Sequence, residues 1–188
     1  KDLTFVGSGV DVTAWNIGAP VPDPANYGTE YNGDYSFDGA GTVTFKNMTF
    51  RSGSVDYLGF IRADKTVVDN CTINGETCYW GYTSATFNGT TFNAPSGKYA
   101  LWTYSSPEMT FDNCTFNASG KVINVYTDFG AGKNDITVNF NNCTVNSTFP
   151  IKSALNINDF NMGDYKYILN ITKANVTAAR DNKFTCSQ

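Results

Sequence analysis

The chain has 188 residues, with 13 Lys and Arg against 17 Asp and Glu, no His, and a formal net charge of −4. That length supports one domain with a real core. The acidic balance excludes a nucleic-acid stripe, which must neutralise phosphates with clustered cations, and the missing imidazoles exclude histidine bases, catalytic triads and imidazole zinc sites.

In chain order, the first predicted strand is Leu3–Val6, with Leu3 and Phe5 facing one way, a corner at Gly7 and Ser8, and Val10 apolar beyond it. A long insert follows over residues 18–34. Its Pro20, Pro22 and Pro24 are expected to keep it out of any ladder, because Pro has no N–H to donate. The opening pattern then returns at Val43, Phe45, Asn47, Met48 and Phe50. It returns again around Cys71, Thr90, Cys114, Cys143 and Ala174.

These seven centres share one register. Three residues before them stand Phe5, Phe45, Val68, Phe87, Phe111, Phe140 and Ile171. Two residues after them stand Val10, Phe50, Ile73, Phe92, Phe116, Val145 and Val176. Five before, only Thr66 breaks an apolar series of Leu3, Val43, Ala85, Met109, Val138 and Leu169. Alternation of this kind marks half-buried strands. The residue just before each centre is Gly7, Asn47, Asn70, Gly89, Asn113, Asn142 or Lys173. Gly and Asn tolerate the left-handed backbone that turns a corner. The centres lie 40, 23, 19, 24, 29 and 31 residues apart, so the variation sits in connections and not in the motif. The expected fold is therefore all-β: a right-handed parallel β-helix of about seven rungs, a single domain over 1–188, roughly 30 Å long at ~4.8 Å per rung.

The register explains several residues that invite chemistry. Cys71, Cys114 and Cys143 fall at one inward position, where a free thiol behaves as a small hydrophobe. With five Cys and no Cys-x-x-Cys, neither a disulfide framework nor a metal site is expected; Cys78 and Cys186 lie outside the register. Asn74, Asn93, Asn117 and Asn146, three residues after their centres, are expected to stack as an amide ladder. Of nine Asn-x-Ser/Thr triplets, several are thus accounted for by structure and not by glycosylation. The Asp residues are read as loop residues (Asp34 and Asp38, Asp56 and Asp64, Asp159 and Asp164), with no two on one strand face at equivalent rungs. That argues against catalysis. "DFNMGD", Asp159 to Asp164, reads as a polar turn and not as a calcium loop, since the twelve-residue pattern and its closing Glu are missing.

The second strand of each rung carries aromatics: "YLGFIR" (57–62), "CYWGYT" (78–83), "YALWTY" (99–104) and "VINVYT" (122–127). Stacked rungs are expected to align Phe60, Trp80 and Trp102, with Tyr82, Tyr104 and Tyr126 beside them, as a ligand-binding stripe. Trp and Tyr dominate protein-binding hot spots because they bury much area with few rotors.

The unit apolar-x-apolar-x-Asn-Cys-Thr-apolar-Asn, as in Val138 to Asn146, repeats over residues 3–177. It resembles the right-handed parallel β-helix family of bacterial surface proteins and of some polysaccharide-cleaving enzymes. The resemblance implies an adhesin-like piece of a longer secreted protein, extracellular and on the bacterial cell surface. It implies a monomeric, non-enzymatic module without cofactor or metal. Its partner is then a host protein or glycoprotein, immunoglobulin among them, with glycan binding or cleavage as the alternative and a structural spacer as the third reading. No run of about 18 apolar residues occurs, so no membrane insertion is expected.

Overall fold

The computed structural model describes residues 1–17, 19–20, 30–31, 35–52, 57–78, 81–94, 101–104, 107–118, 123–126, 135–147 and 167–178. The first rung contributes β1 (Leu3–Val6) and β2 (Ala14–Ile17); β3 (Ala19–Pro20), β4 (Glu30–Tyr31) and β5 (Tyr35–Ser36) are short pieces after it. Rung two is β6 (Thr42–Lys46), β7 (Thr49–Ser52) and β8 (Tyr57–Arg62). Rung three is β9 (Lys65–Asp69), β10 (Thr72–Asn74) and β11 (Glu76–Cys78). Rung four is β12 (Ser84–Asn88), β13 (Thr91–Ala94) and β14 (Leu101–Tyr104). Rung five is β15 (Glu108–Asp112), β16 (Thr115–Ala118) and β17 (Ile123–Tyr126). The last two rungs are long bent strands, β18 (Ile136–Ser147) and β19 (Tyr167–Ala178).

Parallel pairing stacks these pieces. The first arms follow the order β1-β6-β9-β12-β15-β18, with β19 on β18. The arms after the corner follow β18-β16-β13-β10-β7-β2, and a second sheet runs β17-β14-β11-β8-β5. The fold is a parallel β-helix of seven rungs.

The core follows from the register. Phe5, Phe45, Val68, Phe87, Phe111, Phe140 and Ile171 are paired rung to rung as one column. Phe87, Phe111 and Phe140 stack with centroids 5.0 and 5.1 Å apart. Phe92 and Phe116 stack at 4.7 Å in the column beyond the corner. The two columns meet edge-on, as in Phe87 against Phe92 at 61° and Phe111 against Phe116 at 68°. Both geometries suit the ring quadrupole and add about 0.5–1.5 kcal/mol per pair to burial.

The corners form as the sequence pattern requires from the second rung onward. Asn47, Asn70, Gly89, Asn113, Asn142 and Lys173 all have φ between 50° and 54°. The first rung departs from the pattern. Gly7 is not left-handed; its N–H donates to the Lys46 carbonyl, and a Cβ there would collide with the Asn47 carbonyl and Thr13. A tight turn follows, with the N–H groups of Val12 and Thr13 both donating to the Gly9 carbonyl. That turn pushes the next strand five residues along. Trp15, and not Val10, therefore pairs with Phe50. At the base of the insert, Ala19 and Pro20 pair antiparallel with Tyr31 and Glu30. So Pro20 does enter a ladder, at the edge of a two-residue pairing where its missing N–H costs little. Most of the insert, with Pro22 and Pro24, lies outside the described residues.

Candidate functional site

The second sheet holds the expected binding strands, and its register differs from the expected alignment. Cys78 pairs with Phe60 on one side and with Trp102 on the other. Trp102 pairs in turn with Asn124. The column is therefore Phe60, Cys78, Trp102, Asn124, where the sequence pattern places Trp80 between Phe60 and Trp102. The cause is the third rung. Only Gly75 separates β10 from β11, and the pairing with β8 shifts between Glu76 and Cys78. This rung reaches the second sheet sooner than its neighbours, so its residues arrive two positions early. Trp80 lies outside the described residues.

Tyr104 and Tyr126 pair as expected, on adjacent rungs. Tyr82 does not join them. It stands in the connection before β12, where its N–H donates to the Ala63 carbonyl, and it is 42% exposed. The next residue, Thr83, donates its backbone N–H to the Asp64 carbonyl and its hydroxyl to the Asp64 carboxylate. Lys98, Lys121 and Lys152, which could border the strands, lie outside the described residues, as does the Asp159–Asp164 turn.

The outward face of the first arms carries a feature that the sequence reading missed. Lys46, Asp69, Asn88, Asp112 and Asn141 are paired in one register column. Asp69 and Asp112 thus share a strand face two rungs apart, about 9.6 Å at the ordinary strand spacing. This corrects the expectation that no two Asp do so. The signal was available: both sit two residues before a centre, at an outward position. Each is already engaged. Lys46 Nζ lies 3.1 Å from Asp69, and Asn141 Nδ2 donates to Asp112 at 2.6 Å. Both members of the ion pair are over a third exposed, so it adds little stability.

The expected amide ladder is present. Asn93 donates to Asn74 at 2.7 Å, Asn117 to Asn93 at 2.8 Å, and Asn146 to Asn117 at 3.0 Å. A second ladder lies at the corners, where Asn70 donates to Asn47 at 2.8 Å and Asn142 to Asn113 at 2.6 Å. Gly89, without a side chain, interrupts it.

The three cysteines of the inward column are free and buried. Each thiol donates to main-chain carbonyls, as Cys143 does to Phe111 at 3.2 Å. Burial pushes the Cys71 thiol up to about 11. The hydrogen bond with Cys143, and then burial, push Cys114 up as well. Cys71 and Cys114, held protonated in this way, are poor nucleophiles, while the hydrogen bond with Cys114 lowers Cys143; all three thiols are buried in the packed core.

Comparison with protein-family models, with curated proteins and with solved structures finds no match for this chain. The class of protein is set by the fold alone, a parallel β-helix, and a fold of this kind does not dictate an activity.

Proposed function

We propose that this β-helix is a non-enzymatic recognition module of a bacterial surface protein. Its partner is a host protein of the immunoglobulin or mucosal glycoprotein kind, engaged through the second sheet. The observation that carries the reading is the in-register pairing of Tyr104 with Tyr126 in the sheet that also carries Phe60 and Trp102. Strands tied into a ladder lose little conformational freedom when they bind, so more of the contact energy remains as affinity. Aromatic anchors supply that energy.

The test is binding of the purified chain to immobilised immunoglobulin and to mucin, compared with the Trp102→Ala and Tyr104→Ala/Tyr126→Ala variants. The reading expects binding that the variants lose at unchanged melting temperature. Binding to neither surface would sink it and leave the spacer role. A second reading, glycan binding, is favoured by the outward column of Asp69, Asn88, Asp112 and Asn141, since carboxylates and amides are the usual partners of sugar hydroxyls. A glycan-array signal lost in Asn88→Ala but kept in Tyr104→Ala/Tyr126→Ala would support it over the first.

A further inference from the structure

Past the corner, the outward side chains of four successive rungs are the same. Thr72, Thr91, Thr115 and Thr144 form one register column, and Asn74, Asn93, Asn117 and Asn146 form the next. Between the columns run the buried Ile73, Phe92, Phe116 and Val145, each at most 1% exposed, so the Thr and Asn face outward together. Three of the four Asn are exposed and the Thr are half-buried by their own neighbours. Among the described residues, the four Thr hydroxyls make no hydrogen bond. Each Asn within the ladder spends one N–H and one oxygen lone pair on its neighbours, and keeps one of each for the solvent side.

Strand propensity alone accounts for some outward Thr. It does not account for the uniformity, and the same molecule supplies the comparison. The outward columns of the first arms are mixed and charged: Lys46, Asp69, Asn88, Asp112 and Asn141 in one, and Thr44, Val67, Thr86, Thr110 and Asn139 in another. Over these four rungs the Thr and Asn columns carry no charge and no substitution, and only on rung two, with Thr49 and Arg51, does a charge enter; over the same four rungs the first arms carry Asp69 and Asp112.

Four rungs at about 4.8 Å, two residues wide, make a face on the order of 200 Å², a quarter of the roughly 800 Å² each partner gives to a standard protein interface. A protein partner is therefore poorly served by this array. A periodic solid is better served, because it repeats the same contact at every rung. The rung spacing is close to the oxygen repeat along a row of an ice plane, and Thr offers a hydroxyl for that row and a methyl that sheds loose water.

We propose that the Thr and Asn array binds ordered water at the surface of ice. The hydroxyls and the outward amide groups hold a layer of water in lattice register, and that layer joins the crystal. This function is independent of the aromatic sheet and goes beyond the reading above.

The experiment measures thermal hysteresis and inhibition of ice recrystallisation for the whole chain, with serum albumin as the inert control. The chain is expected to shape ice crystals and to hold the freezing point below the melting point. Thr91→Tyr and Thr115→Tyr, which break the flat array, should lose both effects while the circular dichroism and melting curve stay unchanged. Thr86→Tyr, on the first-arm face, should keep them. If a tyrosine variant melts early, Thr115→Lys is read in the same way. Activity of the unmodified chain no greater than albumin's, or equal loss in Thr86→Tyr, overturns the proposal.

Discussion

Thr90 and Cys114 occupy the same inward position on neighbouring rungs and bind the backbone in the same way. The Thr90 hydroxyl donates to the carbonyls of Val68 and Asn88, at 3.3 and 3.1 Å. The Cys114 thiol donates to those of Phe87 and Asp112, at 3.3 and 3.6 Å. In each case one acceptor lies two residues back and the other on the adjoining rung. Cys71 repeats the arrangement with Phe45 and Asp69. Over the rungs of Cys71, Thr90 and Cys114 the position thus takes a small donor, indifferent to whether sulfur or oxygen carries the hydrogen, whereas the rung before fills it with the buried Met48.

Cys71→Thr should therefore change stability at pH 7 by no more than about 1 kcal/mol. At alkaline pH the two proteins should part. Burial holds the Cys71 thiol up at about 11 against 9.0 in the open chain. A fold that keeps its proton longer than the unfolded chain has its full advantage below pH 9 and loses it as pH rises through 11. Two units correspond to at most about 2.7 kcal/mol. Urea unfolding at pH 7 and at pH 10.5 should show a loss in the native chain that exceeds the loss in Cys71→Thr. Equal losses would show that this thiol is not held protonated by the fold.

Phe111 touches more of the core than any terminal ring can. It stacks between Phe87 and Phe140 and meets Phe92 and Phe116 edge-on. Phe111→Ala should cost about 3–5 kcal/mol, the range for a buried ring whose cavity cannot collapse. Phe5, half-buried at the end of the column, should cost clearly less when truncated. Chemical denaturation of both variants checks the order; a Phe5→Ala penalty as large as that of Phe111→Ala would mean that the rungs do not share load as stacked layers.

The column that Phe111 belongs to was legible because every residue in it is counted from a single marker. The left-handed Asn, Gly or Lys fixes the phase of the arm on either side, with no loop in between. The second sheet has no such marker. It is reached through connections of unequal length, one residue from Asn74 to Glu76 and four from Ala118 to Ile123, so the phase is lost where the binding residues stand. Trp15 was hidden for the same reason, behind a turn that, among the described residues, follows no other corner. Asp69 and Asp112 are legible from the same marker, each standing two residues before its centre at an outward position of the arm.

Gly89 is the break in the corner ladder, and the break can be mended. Its φ is 53°, matching its Asn counterparts, and nothing lies within 4 Å of where a Cβ would stand. In Gly89→Asn the new amide falls between Asn70 and Asn113, in line to donate to one and accept from the other. The change also removes the extra freedom of Gly in the unfolded chain. The variant should gain about 0.5–1.5 kcal/mol. Gly89→Val should lose stability, because a β-branched residue resists this backbone region. Melting curves of the pair decide; destabilisation by Asn would mean that the ladder does not tolerate an inserted amide.

The register of the second sheet can be read by crosslinking, and it bears directly on the binding surface. Residues in register on adjacent rungs stand about 4.8 Å apart, whereas a shift of two residues along the strand adds about 6.6 Å along the perpendicular. Cys78 is in register with position 102. In a Cys186→Ser background, Trp102→Cys should therefore be joined to Cys78 by a short bifunctional thiol reagent, while Cys71, Cys114 and Cys143, buried at 2%, 1% and 0% exposure, should stay unmodified in the folded chain. Ala100→Cys, two residues earlier in the chain, should crosslink to Cys78 much more slowly. Peptide mapping after the reaction distinguishes the two. Faster capture of position 100 would restore the alignment of Trp80 with Trp102, and with it the continuous column of Phe60, Trp80 and Trp102.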